Sequence, residues 1–303
     1  MGPLKSTLHI DQLLSNISIK YKNESYIADQ VFPEVMVKKD HDLYRIYDRN
    51  FKLPETKRAN RGIAREYGFD VSTASYHLEH HALKAFISDS DKENYDLAIL
   101  EADHTENLTD KILLRRENSV AVLFTSSSWS QNTSLSTAQQ WSADTTTSNP
   151  IPQFDTATTV VLENSGKKPN YAIIPHRQMV QAKNHSSIID RIKYTSAEIT
   201  PNMLAGLFDM PKILVPLAVV DSAAEGLAAS VAALWNDNVF IGYRPQNASP
   251  LEPSAGYIFR NSMPMVKKWR EEERDSDVVE VNMKYVPKVV ASLAGYLLKD
   301  VSA

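Results

Sequence analysis

The 303-residue chain contains no cysteine, only 9 glycines, and no stretch approaching 18 uninterrupted apolar residues. Without thiols there is no disulfide, no cysteine-based zinc site and no thiol nucleophile, so packing and polar contacts must hold the fold. So few glycines leave little room for a phosphate-cradling loop, and neither G-x-G-x-x-G nor a Walker A pattern occurs. The many serines include no G-x-S-x-G elbow. The missing apolar run argues against a membrane span, and the first residues lack the continuous apolar core of a signal peptide, so a soluble chain with no membrane partner is expected. A formal charge of -4 and a pI near 6.1 argue against a surface that grips nucleic acid throughout, because neutralising phosphates takes clustered Lys and Arg.

What is present is ordinary globular material, 43% hydrophobic and 23% charged, enough for a real core in one large domain or two smaller ones. Residues 4–37 mix short apolar runs with polar residues too sparsely to build a core of their own, and read as an arm that lies on something. The segment 38–67 then concentrates positive charge inside an acidic protein, with Lys38, Lys39, Arg45, Arg49, Lys52, Lys57, Arg58, Arg61 and Arg65 outweighing Asp40, Asp42, Asp48, Glu55 and Glu66. Leu43–Tyr47 and Tyr67–Val71 read as two strands with Pro54 and Gly62 in the turn between them. An isolated two-stranded ribbon is marginal in water. Two readings follow: a solvated surface hairpin, or an interlocking loop that reaches onto another subunit.

Ser90-Asp91-Lys92-Glu93 is a capping-box pattern opening a helix to about Ser119, whose thin apolar stripe suits it to lying across a sheet. The stretch 125–150 is rich in Ser, Thr and Gln, yet Trp129 and Trp141 within it predict a loop ordered against a core or a partner. Beyond Pro152 the texture is mixed: a helix capped by Asp155 and ending near Gly166, a buried strand at Tyr171–Ile174, a helix opened by Pro175, and another begun by Thr200-Pro201. A run from Lys212 to Val220 carries Pro216 and so reads as an edge strand, followed by an Ala-rich excursion and a strand at Val239–Tyr243. Strands are expected at Tyr257–Phe259, Val278–Met283 and Val286–Leu298, with the charged run 267–274 as a solvated turn.

The most chemical-looking cluster is His77, His80 and His81 around Glu79. On a helix His77 and His81 would share a face at one-turn spacing, half of a metal site; on a strand His77, Glu79 and His81 would align instead. The order is not H-E-x-x-H, and no third ligand is evident, so no metal, cofactor or catalytic residue is assigned and a metal-dependent enzyme stays only an alternative. His176 and His185 read as ordinary surface residues.

In their order, these segments resemble the major capsid proteins of tailed bacteriophages, whose α+β architecture is the Hong Kong 97 phage capsid fold shared with encapsulins. The carriers are Val31-Phe32-Pro33 before the charged hairpin, Tyr76 to Asp91 before the long helix, Trp141-Ser142 to Pro150, Pro169 to Ile174, Ile189 to Tyr194 and the closing Tyr285 to Asp300. The resemblance implies an N-terminal arm (1–37), an extended hairpin loop (38–75), a peripheral domain with its spine helix (76–150), an axial domain (151–261), and return strands with a C-terminal axial segment (262–303). It implies a structural subunit of the virion, assembled in the bacterial host cytoplasm, that forms homo-pentamers and homo-hexamers of an icosahedral shell around double-stranded DNA held by weak, non-specific contact. Scaffolding, portal and decoration proteins would be its other partners. An encapsulin-like nanocompartment shell is the rival with the same fold. Some members of the family crosslink a Lys to an Asn with a catalytic Glu; Lys52 and Lys57 lie in the corresponding loop, but neither the Asn nor the Glu can be matched, and no crosslink is expected.

Overall fold

The computed structural model describes residues 26–47, 51, 53–68, 71–94, 97–125, 129–144, 147–193, 199–224, 226–247, 253–261 and 265–302. In chain order its elements are α1 (Ala28–Val31), β1 (Glu34–Met36), β2 (His41–Tyr47), β3 (Val71–His77), β4 (Glu79–Ser88), α2 (Asp89–Asn94), α3 (Leu97–Ala121), β5 (Asn132–Ser134), α4 (Pro150–Ser165), β6 (Tyr171–Ile173), α5 (His176–Asn184), α6 (Ser186–Ile192), α7 (Pro201–Leu207), β7 (Ile213–Leu214), β8 (Val219–Asp221), β9 (Val231–Ala233), β10 (Val239–Gly242), β11 (Gly256–Arg260), β12 (Met265–Glu271), β13 (Ser276–Val289) and β14 (Gly295–Lys299).

Two sheets share one core. The first runs β1-β11-β13-β12, with β4 also paired to β13; the second runs β5-β14-β10-β6-β7. The long strand β13 organises the first sheet by pairing with β4, β11 and β12 along its length. Helix α3 packs on β13 and β4, as its thin apolar stripe requires, and its 25 residues span about 37 Å. Between the sheets lie Ile258, Val281, Met283 and Tyr285 from one and Tyr171, Ile173, Phe240 and Leu297 from the other. At the centre the Phe124 ring meets Phe32, Trp129, Trp235 and Phe240 at centroid distances of 4.7 to 5.5 Å. Here β10 and β14 pair Gly242 with Gly295, and a Cβ at Gly295 would collide with the rings of Phe240 and Trp129. The opposite face of the second sheet carries α4 to α7 over Ala172, Ile174, Val239, Ile241 and Leu298.

Both tryptophans of the Ser/Thr-rich stretch are buried, Trp129 between the sheets and Trp141 against Phe154, so the described part of that loop packs on the core as expected. The helices opened by Pro175 and Thr200 also form where expected, and the Thr200 hydroxyl accepts the Met203 N–H at 3.3 Å.

Other expectations are corrected. The helix cap is Ser88, not Ser90: its Oγ accepts the Asp91 N–H at 3.1 Å, because β4 stops pairing with β13 at Ser88. The helix is described over 89–94 and 97–121, and residues 95 and 96 lie outside the described residues. Helix α4 starts at Pro150 under Asn149, whose Oδ1 accepts the Ile151 N–H at 3.1 Å; burial of Ile151 and Phe154 draws the first turn into the core and leaves Asp155 inside the helix. Its end at Gly166, left-handed at φ 68°, is as expected. The run 212–220 divides at Pro216 into β7 and β8, which belong to different sheets. The charged run 267–274 is no simple turn. Its first half lies in β12, where Lys268 meets Glu101 at 2.5 Å and Arg270 grips both oxygens of Asp89 at 2.6 Å, so its charges are partnered on the sheet. The strands expected at 278–283 and from Val286 are one strand, β13, and the chain breaks at 290–294 before β14 enters the other sheet.

Residues 26–37 add to the core directly: Ile27, Ala28, Val31 and Phe32 are buried, and β1 pairs in parallel with β11. The Glu117 carboxylate of α3, fully buried, accepts N–H bonds from Ala28 at 2.8 Å, from Ile27 at 3.1 and 3.2 Å, and from the Trp235 indole at 2.8 Å. Burial pushes its pKa up despite these donors. A carboxyl whose folded pKa is raised gives its full stabilisation below the unfolded value and loses it as pH rises through the folded value. Stability of the wild type should therefore decline through this group as pH rises above the ordinary carboxylate range, and Glu117→Gln should flatten that part of the profile in urea midpoints followed by circular dichroism. Glu117→Ala, which strands buried donors, should cost about 3 kcal/mol at low pH and less as pH rises.

Candidate assembly surface

The charged hairpin is a ribbon of β2 and β3, in register from His41 opposite His77 to Tyr47 opposite Val71. The first strand lies where expected. The second does not: Tyr67 and Gly68 are in the loop, and the strand begins at Val71. Its position is set from the base, where Tyr76 stacks on Phe259 at 4.9 Å and Tyr44 meets the same ring at 5.3 Å, with Leu78 and Val286 beside them. At the same base Asp40 accepts from the Lys284 ammonium at 2.6 Å and from the Asn261 amide, and the Lys284 contact holds its carboxyl below the usual range.

Beyond this footing the loop above the ribbon touches the body at Phe51, whose ring lies against Gly166 at the end of α4. Seven residues per strand reach roughly 23 Å, and the loop above exposes Leu53 at 97%, Ile63 at 95% and Phe51 at 62%. Arg58 Nε donates to the Gly62 carbonyl, the Gly62 N–H donates to Ala59 O at 2.9 Å, and Arg61 is left-handed at φ 64°, which together form the tip turn. Arg45, Lys57, Arg58 and Arg61 are exposed, and none has an ion pair among the described residues. Arg49 and Lys52 lie outside the described residues. Sequence reasoning missed the exposed apolar residues here because they are scattered singly between charges.

The histidines do not converge. His77 ends β3 opposite His41, His80 faces out of β4, and His81 stacks on Tyr285 at 4.5 Å. Burial pushes the His81 pKa down, against the pull of Glu79 at 3.6 Å. Among the described residues no group of three or more His, Cys, Asp or Glu could hold a metal ion. His176 opens α5 and is exposed, whereas His185 is buried, contrary to expectation. Its Nδ1 accepts the Ser187 N–H at 3.2 Å and its Nε2 meets Ser148 Oγ at 3.0 Å, while Ser148 donates to Gln140 O at 2.5 Å. Asp144 approaches the same Nε2, at 3.6 Å, so acid and hydroxyl compete for one ring nitrogen and no relay exists. The trio fastens the loop to the start of α6.

No model of a known protein family matches the chain. It is 26% identical to the major capsid protein of Burkholderia phage BcepMu over an alignment of 313 residues that covers all of both chains. It is 29% identical to the major capsid protein of Pseudomonas phage JBD67 over 79% of this chain and 78% of that one. Among solved structures, a phage-related protein from Bordetella bronchiseptica RB50 superposes with a TM-score of 0.73 at 24% identity, covering 96% of each chain. The capsid of cyanophage P-SCSP1u gives 0.64 at 12% identity, covering 92% of this chain and 89% of that one.

Removing the ring under the ribbon tests the footing described above. Phe259→Ala should cost roughly 3 kcal/mol and raise amide hydrogen exchange first in 41–47 and 71–77, while protection in β10 and β14 holds.

Proposed function

We infer that this chain, a structural capsid protein with the Hong Kong 97 phage fold, is the major head protein of a tailed phage and tiles pentamers and hexamers of an icosahedral shell around double-stranded DNA. The observation that carries the reading is the ribbon at 41–77: among the described residues it is held at its foot and by the Phe51 ring against Gly166, yet it leaves Leu53 and Ile63 bare in its loop, in a chain alike in sequence and architecture to phage capsid proteins along its whole length. Such a ribbon gains its stability when a neighbouring copy covers it. The bare cations at Arg45, Lys57, Arg58 and Arg61, with Arg49 and Lys52 in the same loop, then meet the surface of a chain whose net charge is negative.

On this reading 26–37 joins the sheet of the peripheral domain, α3 is its spine, and the second sheet with α4 to α7 is the axial domain. The shell is assembled in the host cytoplasm and needs no strong grip on DNA, in keeping with the chain's acidity. Scaffolding, portal and decoration proteins would complete the particle.

Replacing residues 51–67 by a short Gly-Ser linker should leave a folded subunit by circular dichroism that forms no closed shells in negative-stain micrographs; normal particles from this variant would refute the role of the loop. Charge reversal at Arg45 and Arg58 should reduce particle yield more in 50 mM than in 500 mM salt, since screening weakens exposed charge contacts. Particles that carry protein cargo and no nucleic acid would point to a nanocompartment shell.

A further inference from the structure

Two helices of the second sheet present stripes of opposite charge. Helix α4 contains no Lys, Arg or His, and its solvent side shows Asp155, Thr159, Leu162 and Glu163. Helix α5 contains no Asp or Glu, and its outer side shows His176, Arg177 and Val180, with Lys183 half-buried at the same face. Positions 155, 159 and 162 and positions 176, 180 and 183 each follow i, i+4, i+7, so each stripe runs along one helix face. The stripes extend about 12 Å and 11 Å. Each carries one exposed aliphatic residue among its charges, Leu162 at 45% and Val180 at 43%. None of Asp155, Glu163, His176, Arg177 and Lys183 has an ion pair among the described residues. The stripes do not meet within the chain, because α6 lies between, touching both helices.

We propose that the α4 stripe of one copy docks on the α5 stripe of the next, as the head-to-tail contact that closes each ring of subunits. The occupant is a second copy of this chain, because the two faces match in length, carry opposite charge and are held apart in one molecule. A contact between unlike patches can propagate around a rotation axis and close a ring. Pro175 starts α5 without a side-chain cap, so the positive end of the helix adds to the basic face. Leu162 against Val180 supplies the apolar centre. This contact rests on the capsid reading above.

The test uses full-length chains with one face reversed in each. Arg177→Glu with Lys183→Glu makes both stripes acidic; Asp155→Lys with Glu163→Lys makes both basic. Each double variant should stay folded by circular dichroism and lose roughly tenfold or more of its assembled fraction in light scattering at matched concentration, a drop equivalent to about 1.4 kcal/mol. The chain carrying all four changes should recover shells. Mixing the two double variants should recover even-membered rings only, hexamers without pentamers, since neighbours must then alternate. Assembly of either double variant at the wild-type level overturns the contact, as does a folded fourfold variant that stays monomeric. Wild type run alongside separates the two ideas: wild-type shells with insensitive variants refute this contact alone, while a wild type that forms neither ring nor shell refutes the capsid reading and this contact with it.

Discussion

A buried carboxylate on the long helix decides how the rest of the molecule is put together. Glu117 gathers the N–H groups of Ile27 and Ala28 and the Trp235 indole at one point between the sheets. Two stretches far apart in sequence are thereby fixed to α3. Its neighbour Arg116 extends the grip to Glu34 at 3.1 Å and to Asp29, and Arg260 of β11 reaches Glu34 from the other side at 2.7 Å. Parallel pairing over only three residues, as between β1 and β11, is weak by itself. The polar knot holds that register. Taking a carboxylate out of water is costly, and it is offset here because donors surround it. An apolar side chain in its place would leave those buried N–H groups unpaired.

From that knot outward the structure grades from rigid to exposed. The aromatic cluster around Phe124 and the glycine pair at 242 and 295 leave the sheets no freedom to slide. The ribbon, by contrast, depends on one aromatic stack and the Asp40–Lys284 pair at its foot. A tile for a curved shell needs both properties. Its body must keep one shape in every position, while its reaching segments adapt to neighbours that meet it at different angles. The division follows from where the large buried side chains are, since Phe, Trp and Leu concentrate between and behind the sheets and become sparse along 41–77.

Features set by local chemistry were legible in the sequence. The glycine stop after α4, the proline start of α5 and the threonine cap of α7 each depend on a few adjacent residues. The two tryptophans betrayed an ordered loop because so much apolar surface is not left in water. What escaped depends on partners distant in the chain. Residues 26–37 look too sparse to fold because the core they enter is built from elsewhere. Glu117 reads as one more helix charge, and nothing nearby marks it as buried. The second ribbon strand was displaced by six residues or fewer, since its place is dictated by Phe259, some 180 positions later. Lys268 and Arg270 looked like a solvated turn because their partners, Glu101 and Asp89, lie on α3 and α2, far back in the chain. Of the basic loop, the sequence showed the charge but not the bare Leu53 and Ile63 beside it. The family resemblance filled that gap by order and spacing where no single motif could.

Charge placement links the loop to the body. A chain with net charge -4 that sets unpaired cations on a projecting ribbon and on α5 cannot pair like surface with like surface without repulsion. It favours contacts between different patches of identical copies, and such contacts close into rings or run on as filaments according to the rotation between neighbours. Exposed pairs of this kind are individually weak, commonly below about 1 kcal/mol. Weakness has a use in a closed shell, because a subunit added at the wrong angle forms only part of the set and can leave again. On the proposed assembly, repetition around each ring would supply the stability that no single contact has, and the apolar loop residues of the ribbon would be covered only when the neighbour is correctly placed.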